Sequence, residues 1–276
     1  MTRNSPTRPT PALQLVQRLA AEGFRVFSPE DARKIAPEVG LSEGYVLQAL
    51  HHLEKQGWFV RLRKGLYALS SSVPGVSPAH EFEVAMALVN PAAISHFSAM
   101  HQYELTEQIP CRVFITTTTG QWIPRNSKGT SDKSGYRLGD TIYQFIRVKP
   151  ERFFGTDTVW VDESRVTFTD MARTLIDGLM MPQYCGGIAE VFHAFQMARN
   201  RLRLDQLIDY ALRLDSATAK RLGWVLEHTG FESSRLTVLQ QVKVTGHTKL
   251  DPTGPREGPY NRFWMVQENL GGKFRP

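Results

Sequence analysis

Three short helices are predicted in the N-terminal part of the chain, each with its own start and stop. Residues 11–22 begin with proline, carry apolar side chains on one face and end at a glycine. A second helix starts at residues 28–30, Ser-Pro-Glu, because the serine can cap it and the proline already has the helical φ. Pro37 interrupts that helix, and a third is predicted from a cap at Ser42 to about Gln56.

A basic two-stranded hairpin is predicted directly after the third helix. Along its first strand, Val60 and Leu62 are expected to face one side, and Arg61 and Arg63 the other, because strand side chains alternate. A lysine and a glycine form the turn, and residues 66–69 form the returning strand. Three helices followed by such a hairpin are the element order of a winged helix-turn-helix, which is the fold predicted for this segment.

This predicted fold indicates how the segment would contact double-stranded DNA. A helix fits the major groove, where the exposed N-terminal half of the third helix would meet base edges. The basic hairpin would lie along the phosphate backbone and fix the register without reading sequence. The predicted DNA-binding residues are Ser42, Glu43, Tyr45, Gln48 and His52 on the helix, and Arg61, Arg63 and Lys64 on the hairpin.

Two alternatives to this interpretation stay open. Tyr45 can simply pack against the first helix, and His51 and His52 can be solvated surface residues. Winged helices also serve as protein-docking modules, so the fold by itself does not establish DNA binding.

The charge distribution favours a polyphosphate partner for the N-terminal segment. The chain has a formal net charge of +6, and residues 1–70 carry ten Lys and Arg against six Asp and Glu, which is most of that excess. Positive charge favours nucleic acid because each neutralised phosphate releases condensed counterions. An excess of this size also falls within ordinary scatter.

The whole chain is predicted to be an α+β protein with two domains. Residues 1–10 are expected to be a disordered basic arm, 11–70 the winged helix-turn-helix, and 71–79 a linker rich in serine and proline. Residues 80–168 are predicted to form the mixed α/β part of a larger domain, and 169–276 its helical C-terminal half.

A long exposed loop is predicted within the mixed part, over residues 121–139, which are polar and contain several glycines. Its Arg125, Lys128 and Lys133 could provide a second phosphate contact. A solvated loop without such a role is the alternative.

No catalytic, metal or cofactor site is predicted, and the protein is expected not to be an enzyme. Cys111 and Cys185 are the only cysteines, and the common nucleotide-binding motifs and the nucleophile elbow are missing. Asp157, Asp162 and Glu163 could belong to a degenerate metal-dependent nuclease, but no Glu-x-Lys follows on a strand.

Two further groups of polar residues are interpreted as structural. His96 and His101 are five positions apart, which does not place two metal ligands on one helical face. Asp170, Arg173 and Asp177 follow helical spacing and are expected to form a solvated, ion-paired helix face.

Without a membrane-length apolar run or a disulfide framework, the chain is expected in the cytoplasm, associated with the nucleoid.

Five segments in order resemble the AbiEi family, the antitoxin and autorepressor of bacterial abortive-infection toxin–antitoxin pairs, over nearly the whole chain. Residues 62–67 are similar to the family's basic-Gly-x-Tyr wing, and 170–177 with the following double glycine to its domain-joining helix. The other similar segments are 96–99 with 105–110, 220–227, and 263–269. A generic winged-helix regulator outside the family is the alternative.

The resemblance implies a division of labour between the two domains. The winged helix would bind inverted repeats upstream of its own operon and repress it. The larger domain would counter a nucleotidyltransferase-like AbiEii toxin encoded alongside, in a system for phage defence, and the family does not require a stable complex with that toxin. A protein-docking module without specific DNA binding is the alternative function.

Overall fold

The chain folds as a mixed α+β protein. A computed structural model describes residues 10–71, 73, 77–124 and 135–271, and within these ranges it contains ten α-helices and twelve strands. The helices are α1 (Pro11–Ala21), α2 (Pro29–Ile35), α3 (Val46–Lys55), α4 (Glu81–Leu88), α5 (His96–Gln102), α6 (Met171–Met180), α7 (Ile188–Ala198), α8 (Leu204–Leu214), α9 (Ser216–His228) and α10 (Leu236–Gln241). The strands are β1 (Val26–Phe27), β2 (Phe59–Arg63), β3 (Leu66–Leu69), β4 (Ala92–Ile94), β5 (Val113–Thr118), β6 (Tyr136–Leu138), β7 (Thr141–Val148), β8 (Thr156–Val161), β9 (Ser164–Thr169), β10 (Thr248–Lys249), β11 (Tyr260–Asn261) and β12 (Val266–Gln267).

Some predicted features lie outside the described residues. They are the basic arm of residues 1–10 except its last residue, part of the predicted linker 71–79, and Arg125, Lys128 and Lys133 of the loop 121–139.

Residues 10–71, called the N-terminal unit below, contain the three predicted helices and a small antiparallel sheet. Ser28 and Asp31 form a capping box at the start of α2, which confirms the predicted helix start. The sheet has the order β1-β3-β2, so the predicted hairpin acquires a third strand from the segment between α1 and α2. Leucines from α1 and α3 bury their side chains against Phe27 and Phe59 of the sheet. The helices and the sheet therefore share one core.

A six-stranded mixed sheet forms the centre of the remaining residues, called the body below. Its order is β6-β7-β5-β4-β9-β8, with β4 parallel to β9 and β5 parallel to β7. The three-residue strand β4, which lies between β5 and β9, was not predicted. Helix α4 packs against the sheet. The core between them also contains Leu62, Leu66 and Ala68 of the hairpin. The hairpin thus contributes to two cores.

The C-terminal part of the body is helical, as predicted. Helices α6 to α10 enclose one large apolar core. Sequence periodicity predicts helices over residues 187–199, 204–212, 217–229 and 233–241, and α7 to α10 begin and end within three residues of these bounds. The small sheet of order β10-β12-β11 was not predicted, and it places Trp264 and Val266 in the same core. In the described part of the chain, none of the helices is long and apolar enough to cross a membrane.

Candidate nucleic-acid interface

Helix α3 presents an exposed face because its buried apolar residues follow a single stripe. Val46, Ala49, Leu50 and Leu53 are all buried in the N-terminal core. A 3-10 turn over Glu43–Tyr45 precedes the helix, and the Ser42 side chain does not cap it, contrary to the prediction. Past the C-terminal end, Gly57 takes a φ of +80°, a left-handed conformation that ends the helix as predicted.

The face of α3 opposite this stripe is centred on Gln48, His51 and Lys55, because successive helical residues are about 100° apart. All three are exposed. His51 and Lys55 were not among the predicted DNA-binding residues, although the same periodicity that places the buried stripe also indicates them. The predicted residues on and before the helix are exposed as well; they are Ser42, Glu43, Tyr45, Gln48 and His52.

Tyr45 and His52 lie on one flank of this face, beside a cleft. The cleft has a volume of about 510 Å³ and separates α3 from residues 10–13 at the start of α1, with Trp58 at its other side. Tyr45 is 43% exposed, so it borders α1 without being buried by it.

A β-bulge divides the two arginines of the hairpin. Arg61 pairs with Tyr67, whose side chain belongs to the N-terminal core, whereas Arg63 pairs with Leu66, which belongs to the core of the body. Residues paired across an antiparallel ladder share a face, so the two arginines point to opposite sides. The prediction that Arg61 and Arg63 face the same side was wrong, because an extra residue in one strand resets the alternation.

Both faces of the hairpin pack against a core, but several of its side chains remain exposed. Leu62 is 1% exposed and packs on the body, while Val60 is 49% exposed. Arg61 and Lys64 are both exposed. The hairpin is therefore not enclosed by the body, and two of its three predicted phosphate contacts are accessible.

The cations without a carboxylate partner are concentrated on α3 and the hairpin. Elsewhere in the N-terminal unit, Arg18, Arg25, Arg33 and Lys34 each lie within an ion pair. Within the described residues, the cations of this unit that make no ion pair are Lys55, Arg61, Arg63 and Lys64. Because paired charges largely cancel, the positive field of the unit comes from these four side chains.

Arg63 rests against the body. Its guanidinium carbon lies 5.4 Å from the ring centroid of Trp122, and Nη1 donates a hydrogen bond of 3.3 Å to the carbonyl of Lys64. The Tyr136 hydroxyl donates to the carbonyl of Leu62. Burial raises the pKa of Tyr136, and the nearby charge of Arg63 partly opposes that rise.

Arg25 joins the N-terminal unit to the body at a second point. Its Nε lies 3.0 Å from Oε2 of Glu83, an ion pair that is not aligned as a hydrogen bond. Its other nitrogens donate to Glu163 at 3.1 Å and to Ser164 at 2.5 Å. The arginine side chain is 12% exposed and that of Glu83 19%, so this contact is largely shielded from water.

The segment that carries this surface is similar to a known family. Residues 14–70 match a family model described as a transcriptional regulator, AbiEi antitoxin. This segment matches the AbiEi family. The match confirms the predicted resemblance for the N-terminal unit, including the hairpin. The other segments predicted to resemble AbiEi proteins lie outside residues 14–70.

Comparison with curated proteins finds no match to the chain. Among solved structures, the fold is similar to the crystal structure of the RV2827C protein from Mycobacterium tuberculosis, with a TM-score of 0.66 and 15% sequence identity. The similarity covers 94% of this chain and 91% of that chain. It therefore concerns the fold of the AbiEi-like segment and the body together.

Helix α6, which lies outside the matched range, is largely buried, and this corrects a prediction. Arg173 and Asp177 of α6 are 2% and 1% exposed and form an ion pair of 2.9 Å, and Asp170 caps the helix. The Arg173 guanidinium also donates to the carbonyls of Arg152 and Phe154. The prediction of a solvated face was wrong because helical spacing is the same on a buried face, and here each charge has partners.

The polar residues considered for a metal or nuclease site do not form one cluster in the described part of the chain. Asp157, Asp162 and Glu163 are exposed on the β8–β9 hairpin. His96 is fully buried, and His101 is exposed. In the ranges that the structure describes, no group of three His, Cys, Asp or Glu residues is arranged to hold a metal ion.

Proposed function

We propose that the N-terminal unit is a winged helix-turn-helix that binds double-stranded DNA and represses transcription. The observation that carries this proposal is the concentration of unpaired cations on α3 and the hairpin, next to an exposed helix face. Ion pairs elsewhere in the unit leave that surface as its main source of positive potential. The match to a transcriptional-regulator family supports the same conclusion.

In this proposal, α3 enters the major groove with Gln48 at the centre of the contact. A glutamine amide can both donate to and accept from adenine, so Gln48 would read a base. Arg61 and Lys64 would bind phosphates on one side of the groove, and these contacts would fix the position of α3 without reading sequence. Ser42, ahead of the 3-10 turn, and His51, on α3, are also exposed and would complete the contact.

We further propose that the protein represses its own operon and acts as the antitoxin of a nucleotidyltransferase-like toxin, without enzymatic activity. The family description supports the antitoxin function. The body, which the family match does not cover, would carry it.

Fluorescence anisotropy with the DNA upstream of the protein's own gene tests the central proposal. Specific regulators bind their sites with Kd values of about 10⁻⁸ to 10⁻¹¹ M, and a shuffled fragment should bind far more weakly. The double variant Arg61→Ala/Lys64→Ala should weaken binding to both fragments. Lys243→Ala/Arg256→Ala, which removes two exposed cations of the body, is the matched control and should leave binding unchanged.

Equal affinity of the wild type and the Arg61/Lys64 variant would contradict this role of the hairpin. A second candidate, a protein-docking module, is favoured by the exposed apolar side chains of Leu47 and Val60, which are 53% and 49% exposed. A stoichiometric protein partner lost on Leu47→Asp, together with equal binding to both DNA fragments, would support that alternative.

A further inference from the structure

The body presents an aromatic side chain at the edge of the proposed DNA-binding surface. Trp122 follows β5, is 60% exposed, and lies under the guanidinium of Arg63 at 5.4 Å. A tryptophan so exposed adds little to the core beneath it. The only cation that the described residues place over its ring comes from the hairpin.

The short segment that carries Trp122 is anchored to the sheet. Arg147 on β7 donates a hydrogen bond of 3.1 Å to the carbonyl of Gln121. On the other side of the tryptophan, Ile123 packs against the core that the sheet shares with the hairpin. The chain is thus anchored immediately before and after Trp122.

Arg63 is directed to this ring by the β-bulge and has few other contacts. Nη1 donates to the carbonyl of Lys64, and Nε is buried without a hydrogen-bond partner among the described residues. An arginine stacked on an aromatic face keeps the N–H groups at its edge free to donate. Stacking therefore restricts the side chain and leaves donors for a further acceptor.

We propose that Trp122 is a positioning residue for DNA binding: its ring holds Arg63 on the body-facing side of the hairpin, against the turn at Lys64, so that the guanidinium edge meets a phosphate. This inference rests on the proposed function of the N-terminal unit. It makes the body part of the DNA-binding surface, which the family match to residues 14–70 does not include. Direct stacking of Trp122 on the nucleic acid is the competing explanation.

A double-mutant cycle between Trp122 and Arg63 tests this proposal with the full chain and the upstream DNA fragment. Trp122→Ala should weaken binding about two- to fivefold, as expected for an exposed cation–π contact, whereas Trp122→Phe should retain most of the affinity. In the Arg63→Ala background, Trp122→Ala should have no further effect, because it acts through the arginine. The slope of log K against log salt should fall in Trp122→Ala as it does in Arg63→Ala, by up to about 0.9.

The matched control is Trp160→Ala. Trp160 is 69% exposed on β8, at the opposite edge of the six-stranded sheet from β6, and should not affect binding. Wild-type-like binding by Trp122→Ala would overturn the inference while leaving the proposed function intact. Additive losses in the double variant would also overturn it, in favour of direct stacking. If the wild type binds no DNA, the proposed function fails and this inference fails with it.

Discussion

Gly223 of α9 lies directly beneath the indole of Trp264. A Cβ placed on Gly223 would lie 2.0 Å from Cζ3 of that ring, and the indole Nε1 donates a hydrogen bond of 2.7 Å to Glu227. The indole Nε1 of Trp224, also on α9, donates a hydrogen bond of 2.8 Å to Glu268. Helix α9 and the segment that carries Trp264 are thus packed so closely that only glycine fits at position 223.

Replacing Gly223 by alanine should therefore destabilise the body. Trp264 is 2% exposed and cannot move without disturbing the core, so the free energy of unfolding should fall by about 3 kcal/mol, at the upper end of overpacking costs. Chemical denaturation measures this change. Gly44→Ala is the control, because a Cβ added at Gly44 would have no atom within 4 Å. The stability of this variant should equal or slightly exceed that of the wild type. Wild-type stability of Gly223→Ala would show that this packing is wrong.

The buried imidazole of His96 predicts how stability depends on pH. Burial lowers its pKa, an effect partly offset by the charge of Asp177. The unfolded chain has a histidine pKa of about 6.5, so below that pH it binds more protons than the folded chain, and stability decreases as the pH falls. His96→Asn removes the titration, and asparagine tolerates the φ of +51° at this position.

The free energy of unfolding of His96→Asn should therefore vary less between about pH 7 and pH 5 than that of the wild type. Urea denaturation at several pH values provides the comparison. Parallel pH profiles for the two proteins would contradict the assignment of a neutral, buried imidazole.

Among individual residues, sequence periodicity predicts most of the side chains that α3 exposes at the candidate DNA-binding surface. Gln48 is exposed as expected, and the same periodicity would also have identified His51 and Lys55. Periodicity does not distinguish a solvated polar stripe from a buried one, which is why the surroundings of Arg173 and Asp177 were predicted wrongly. Only the packing of α6 determines that difference.

At the scale of elements, the long helices and strands follow from the sequence and the short ones do not. Alternation over residues 141–148 predicts a strand, and β7 (Thr141–Val148) has these bounds because the pattern extends over eight residues. Strands β1 and β4 have two and three residues, too few for a period to be visible. The β-bulge depends on pairing between strands, so alternation within one strand could not reveal that Arg63 turns toward the body.

The contact between Arg25 and Glu83 predicts how firmly the N-terminal unit is attached to the body. Arg25→Ala leaves Glu83 shielded without its partner, so the free energy of unfolding should fall by about 2 kcal/mol. Arg33→Ala removes an ion pair with Glu30, whose side chain is 68% exposed, and should leave stability nearly unchanged because exposed ion pairs contribute little. Thermal unfolding of both variants measures the difference. Equal losses would mean that the shielded contact does not stabilise the attachment.

At the scale of the whole molecule, the hairpin lies between two cores. One of its faces packs with the N-terminal helices and the other with α4 and the six-stranded sheet. Val73, in the predicted linker, is 2% exposed and belongs to the N-terminal core. The order of the elements was predictable because it depends on local patterns. The docking of the hairpin was not, because it depends on residues more than seventy positions apart, such as Leu62 and Tyr136.

The salt dependence of DNA binding tests the central claim most directly, that α3 and the hairpin form one cationic surface that binds phosphates. Each phosphate contact adds about 0.9 to the slope of log K against log salt. The slope for Arg61→Ala/Lys64→Ala should therefore be smaller than that of the wild type by about 1.8, and Lys243→Ala/Arg256→Ala should match the wild type. Identical slopes for all three proteins would contradict the account.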